Sequence, residues 1–381
     1  KEWELICDPS CGSGWFLIRA FEKIREEITK EFILKKQEKQ KEIFWEELEK
    51  IDDENLNKIY EKYLEEINKE EEERITELCH NSIFWTDANP RMARVSKMNM
   101  IMHGDWHNGI HHNDGLLNVN GIFENRFDVI LANPPFGSRV PKDLKIEEWD
   151  KYKDEEKKKY YLEKYWNEYL KALNQIEWNI WKNLVSLYDV WAYSTLTEVL
   201  FLERNLRLLK AGWRMWVVLP EWVLNNSNLV KVRDYFEWRA KIILITSIPQ
   251  DVFVASWATV KPSLVFLKKF TLEEQEEYQK ISNEVNKEVS KEFEEFIEIK
   301  NTEFKNSKDK EEKKKIKAEI TELENKKEEK IKKSIKERFN YQIAIAEVEK
   351  AWISTTWAII ENELEPLAKE FAQYRKQNNL W

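Results

Sequence analysis

Glycine is the scarcest of the common residues here. The chain has eight in 381 positions, where ordinary usage would supply about 27. Cysteine is scarce too. Cys7, Cys11 and Cys79 show no metal-ligand spacing and no disulfide framework, which argues against a stapled secreted domain and fits a reducing, cytoplasmic setting. No apolar run is long enough to span a membrane, and no signal peptide is visible. A net charge of −9 argues against a protein that coats nucleic acid by charge alone, but it leaves room for a local basic cleft. Lys1 stands only a few residues before the first motif, so the chain is expected to be a fragment lacking a natural N-terminal part.

What the chain has in excess is tryptophan, 18 residues, enough to fill the glycine shortfall. Several sit where glycine chemistry is expected. Trp213 and Trp216 lie in the stretch from Gly212 between a helix end and a strand, where a Gly-Gly turn belongs, Trp15 follows Gly14, Trp222 follows Pro220-Glu221, and Trp257 lies in a turn. Trp85 comes two residues before Asp87 at a strand end. The expectation is that most of these are glycine in the natural protein, as happens when UGA codons meaning glycine are read as tryptophan. Trp149 and Trp381 stand outside that expectation, and a Trp-rich core is the alternative.

The length suits one large domain or two ordinary ones, and 42% hydrophobic residues supply a sizeable core. Residues 3–7, 83–87, 127–132, 213–219, 241–248 and 263–267 read as short, nearly continuous apolar strands. Helical patterns separate them, one from Trp15 through Ile28 and others over Met92–Ile101 and Leu196–Leu209. Such alternation predicts an α/β fold with a doubly wound, mostly parallel sheet. Two charged segments interrupt it: a helical hairpin insert at about 25–80, breaking at Asp52-Asp53, and a second insert at about 142–185. The expected domains are a core over 1–270, a Lys/Glu-rich helical arm over 271–340 and a tail over 341–381.

Two strings carry the chemistry. Asp8-Pro9-Ser10-Cys11-Gly12-Ser13-Gly14 follows the first strand, and its glycines let backbone approach a ligand closely; a plain strand-to-helix turn is the alternative. Asn133-Pro134-Pro135-Phe136 follows the strand 127–132. An exocyclic base amine is a poor nucleophile, because its lone pair is delocalised into the ring. The Asn133 side-chain oxygen and the Pro134 carbonyl together would favour its pyramidal, attacking form and stabilise the charge that develops. The prolines fix the backbone and Phe136 offers a flat face.

Asp87, ending the second strand, can accept from both hydroxyls of a ribose, or serve as a helix cap before Pro90. Asp105 can accept from an adenine amino group, or be an ordinary turn residue. Phe253 can stack on a base, or be core. His107, His111 and His112 lack a metal pattern. Arg91, Arg94, Lys97, Arg139, Lys142 and Lys145 can meet phosphates or solvent.

These motifs, in this order, resemble the adenine-N6 DNA methyltransferases of the gamma motif order, and among them the modification subunits of type I restriction–modification systems. The resemblance covers roughly residues 3–24, 83–140 and 187–270. It implies S-adenosylmethionine at Asp8, Cys11, Gly12, Gly14, Asp87 and Asp105, and amine chemistry at Asn133, Pro134, Pro135 and Phe136 with Phe253 near the base. It also implies double-stranded DNA with adenine flipped out of the helix, a specificity subunit, a restriction subunit and no membrane. The family's helical N-terminal domain is absent from this sequence, and the inserts have no assigned role. Two other functions share these residues. One is an Asn-Pro-Pro methyltransferase of protein glutamine or RNA. The other is a scaffold whose catalytic core has decayed.

Overall fold

A computed structural model describes residues 1–44, 54–105, 110–118, 121–254, 260–306, 310–353 and 359–380. Strand β1 (Ile6–Asp8) leads into a long helical excursion, α1 (Trp15–Phe44) and α2 (Glu54–Asn81). The chain returns through β2 (Ile83–Asp87), α3 (Pro90–Met102) and β3 (Ile110–His112). The second wing runs β4 (Phe127–Ala132), α4 (Glu155–Glu177), α5 (Thr197–Leu208), β5 (Leu209–Pro220), α6 (Glu221–Asn225), α7 (Val230–Glu237), β6 (Ala240–Ser247), α8 (Asp251–Val254) and β7 (Pro262–Lys269). Then come the arm helices α9 (Leu272–Asn306) and α10 (Lys310–Arg338), followed by β8 (Ala344–Glu347), β9 (Ala351–Ile353), β10 (Ile359–Asn362) and α11 (Leu364–Gln377).

The main sheet has eight strands in the order β3-β2-β1-β4-β5-β7-β6-β8. It is doubly wound and parallel except at β7, which runs antiparallel to β5 and β6. Its strands β1, β2 and β4 are buried on both faces. Cys7, Phe84 and Ile130 enter one core cluster while their neighbours Ile6, Ile83, Trp85 and Val129 enter the other, the alternation of a pleated strand. Winding reverses between β1 and β4, and such a switch point opens a crevice at the carboxyl ends of the strands.

Several boundaries differ from expectation. The first strand starts at Ile6 rather than residue 3, and β5 begins at Leu209 directly after the helix. Strands β3, β8, β9 and β10 are too short to leave a pattern in sequence. The boundary expected at 340 cuts through the sheet, because β8 pairs with β6 (Ala344 beside Leu244). Phe371 of α11 also meets Phe266 of β7 at 5.1 Å.

The first insert is a helical pair, with Phe32 and Ile67 buried and Arg74 bonded to Glu31 at 2.8 Å. Its expected break at Asp52-Asp53 lies outside the described residues. In the second insert Tyr161 and Tyr169 of α4 pack with Phe123, and the Arg126 guanidinium lies over the Phe123 and Tyr161 rings. The arm is held by Tyr278, Val285, Val289 and Ile335.

Candidate cofactor and catalytic site

The first site loop is tied together by its own carboxylates. Asp8, buried at the end of β1, accepts from the Ser10 amide at 2.9 Å and the Ser10 hydroxyl at 3.4 Å. Gly12 and Gly14 take the left-handed conformations that only glycine adopts without strain (φ +53° and +85°). A side chain at Gly14 would strike Ser96 of α3, whereas the space beside Gly12 is open. The Asp87 carboxylate, ending β2, takes the Gly12 amide at 2.9 Å on Oδ2 and the Asn89 amide at 2.8 Å on Oδ1. Cys11 is buried and its amide reaches the Thr86 carbonyl at 3.1 Å. Burial pushes the Cys11 thiol well above its ordinary range, so it is neutral. Burial also pushes the Asp8 carboxyl up to about 7; the Ser10 bonds oppose this and the nearby Asp87 charge adds to it.

On the adjacent strand β4, the chain leaves the sheet at Asn133-Pro134-Pro135-Phe136. Cys7 of β1 is paired with Ile130 of β4, so the two loops emerge side by side at the switch point. Pro134 is buried, Asn133 and Phe136 are half-buried and Pro135 is exposed. The Asn133 side-chain oxygen is buried with no hydrogen-bond partner. An acceptor left unmatched in this way carries a free-energy penalty unless a ligand donates to it.

Asp105 is not at this edge. Helix α3 starts beside Asp87 and runs back across the sheet, and the Asp105 amide caps its far end on the Met100 carbonyl at 2.9 Å. There Asp105 faces Cys79, whose thiol is pushed up to about 12 by burial and by that carboxylate. A residue after a helix lands at the amino edge, and one after a strand at the carboxyl edge. The acid that does follow β3 is Asp114. Its Oδ1 accepts from the Leu116 amide at 2.9 Å, and burial raises its pKa.

Gly115 lies so close to the first loop that a side chain there would meet the Pro9 carbonyl. The buried Arg204 holds this segment, with Nε to the Gly115 carbonyl at 2.9 Å and a second nitrogen to the Leu117 carbonyl at 2.6 Å. Sequence reasoning missed Asp114, although Asp-Gly after Ile110 is a strand-end turn signal.

The Phe253 and His111 side chains and all of His107 and Trp257 lie outside the described residues. His112 Nε2 meets the Ala88 carbonyl at 3.0 Å, and no metal-binding cluster exists among the described residues. Arg91, Arg94, Arg139, Lys142 and Lys145 are exposed. No described helix is long and apolar enough to cross a membrane.

Residues 1–175 match the family model N-6 DNA Methylase. No curated protein matches the chain. Among solved structures, one similar chain is described as the modification subunit of an inferred type I restriction enzyme from Vibrio vulnificus. It shows 20% identity over 70% of this chain and 40% of that one, with a TM-score of 0.40. Another is the type I restriction enzyme EcoKI M protein, at 16% identity over 72% and 41%, with a TM-score of 0.43. The chain therefore spans about two fifths of the length of these relatives.

Proposed function

We propose, from the match of residues 1–175 to the N-6 DNA methylase family model, that this chain methylates N6 of adenine in double-stranded DNA. The donor is S-adenosylmethionine, and the setting is a type I restriction–modification system in which the chain is part of the modification subunit. A specificity subunit choosing the sequence and a restriction subunit are the partners in that reading. The observation that carries it is the side-by-side emergence of the Asp8–Gly14 loop and the Asn133-Pro134 loop at the switch point, with the Asn133 oxygen awaiting a donor.

When bound, S-adenosylmethionine supplies an electrophilic methyl on a sulfonium. Asp8, ionised, holds the ammonium of its amino-acid end. Asp87 keeps lone pairs for the ribose hydroxyls after taking the Gly12 and Asn89 amides. Asp114 replaces Asp105 as the acceptor for the cofactor's adenine amino group. Gly12 leaves room for the methionine portion. Asn133 Oδ1 and the Pro134 carbonyl accept the two hydrogens of the target amine, which localises the nitrogen lone pair for in-line attack. Phe136 stacks the everted base, with Phe253 assigned to its other face. Direct transfer to the amine, followed by loss of its surplus proton to solvent, needs no covalent enzyme intermediate, in keeping with the neutral Cys11.

The test is transfer of labelled methyl to unmethylated duplex DNA, to RNA and to a glutamine-bearing release factor. Label on adenine N6 of DNA alone supports the reading. Label on either other acceptor, or cofactor binding with no transfer at all, refutes it.

A further inference from the structure

The Asn133 loop does not hold its shape by itself. Its outer half is laid against the segment leading into α5. The Val140 amide reaches the Thr195 carbonyl and the Thr197 amide the Ser138 carbonyl, both at 3.0 Å, and Arg139 pairs with Leu196. At the centre of this junction is Glu198, wholly inaccessible to solvent. Its Oε1 accepts the Gly137 amide at 3.1 Å, one residue beyond Phe136, and its Oε2 is buried without a partner. Gly137 is in the left-handed region (φ +72°), which glycine reaches freely, so its own conformational preference does not fix the turn and the Glu198 bond restricts it. Burying a carboxyl is unfavourable and is retained where it fixes something. Here burial raises its pKa, while its own backbone amide, the Gly137 amide and the Arg139 charge pull it back.

We infer that Glu198 is a positioning residue for methyl transfer: it fixes the Gly137 turn and thereby aims Asn133 and Phe136 at the target base. The inference rests on the proposed reaction, and one arm of its test does not.

Two variants of the full chain decide it. Glu198→Met keeps the volume without a comparable acceptor, and Glu198→Gln keeps an oxygen for the Gly137 amide. In Glu198→Met, hydrogen exchange at the Gly137 amide accelerates about tenfold or more. Its methyl-transfer kcat falls about 10–100-fold, while the cofactor Kd and the DNA KM stay within about twofold. Glu198→Gln restores both the protection and most of the rate. Unchanged exchange at Gly137 in the Met variant overturns the inference, and so does unchanged kcat with that amide freed. Should Glu198→Met not fold, Glu198→Leu takes its place with the same criteria. A wild-type chain that transfers no methyl refutes the proposed function, and the exchange arm still decides whether Glu198 holds the turn.

A separate observation bears on the tryptophans. Of the twelve described tryptophan side chains eight are exposed, whereas Phe296 is the one phenylalanine so exposed among those described. Two of the four non-glycine residues with positive φ are Trp166 (30°) and Trp181 (66°), a conformation disfavoured for bulky side chains. Where an indole is enclosed, at Trp85 and Trp216, its N–H finds no acceptor. We infer that the natural protein carries glycine at Trp166 and Trp181, at Trp15, which opens α1, and at Trp213 and Trp216 of β5. Peptide mass spectrometry of the protein from its own cells is expected to read glycine at these positions, and tryptophan there overturns the inference. In the recombinant chain, the Trp166→Gly and Trp181→Gly double variant raises the melting temperature by about 2 °C or more. A lower melting temperature counts against it.

Discussion

Both edges of the sheet carry acids, buried at Glu4, Asp128 and Asp8 and half-buried at Asp87 and Asp114, and apart from Asp105, which faces Cys79, the two edges partner theirs differently. At the amino edge Glu4 is bound by Arg214 at 2.8 Å, and Asp128 takes Lys210 at 2.8 Å and the Leu5 amide at 2.8 Å. Burial alone would raise the Glu4 carboxyl, but Arg214 holds it below its ordinary range. At the carboxyl edge Asp8, Asp87 and Asp114 bond to loop amides, and among the described residues no ion pair reaches them. Acids that are satisfied by cations finish a structure. Acids that gather amides but no cation leave negative potential for a ligand, and a donor bearing an ammonium and a sulfonium suits it.

Predictions follow from this contrast in order of size. Asn133→Ala should lower kcat by about 10²–10³-fold while leaving cofactor Kd nearly unchanged, measured by single-turnover transfer and calorimetry. Equal activity would remove the amine clamp from the mechanism. Asp87→Ala should weaken cofactor binding by about 10–100-fold, since it removes the acceptor proposed for the ribose hydroxyls and releases the Gly12 amide.

Lowering pH should weaken cofactor binding too. Burial pushes the Asp8 carboxyl up to about 7, and in the proposed complex the cofactor's ammonium would favour its ionised form. Affinity should therefore fall by up to about tenfold per unit below pH 7, with proton release on binding in calorimetry. The free fold responds in the opposite sense. A carboxyl raised by burial contributes stability that is fully present below the unfolded pKa and is lost as pH rises through about 7.

The smallest effect on the site belongs to the other edge. Asp105→Asn should leave cofactor Kd within about twofold and lower stability by about 1 kcal/mol, read by denaturant titration. A large loss of affinity would return Asp105 to the site and break the contrast.

These edges also show what was legible in the sequence. Asp8, Asp87 and Asn133 each end an apolar strand with distinctive turn chemistry, so both their identity and their edge could be read locally. Asp114 was hidden because β3 spans only Ile110–His112 and carries two histidines in place of an apolar run. Without that strand, the sequence offers Asp105 as the acid for the adenine amino group, whereas its amide bonds back to the Met100 carbonyl just past the end of α3. Glu198 has no motif; only the fold brings it beneath Gly137, 61 residues away in sequence. The sheet's far edge was equally silent, since β8 is four residues long and follows a charged arm.

That arm has one more consequence. Phe270, just before it, and Phe339, just after it, touch with ring centroids 5.3 Å apart. Entry and exit therefore share a single doorway between β7 and β8. Such a peninsula can be lengthened, shortened or clipped off and closed with a brief connector without disturbing strand pairing. Evolution is free to restyle its tip while the continent behind it stays unchanged.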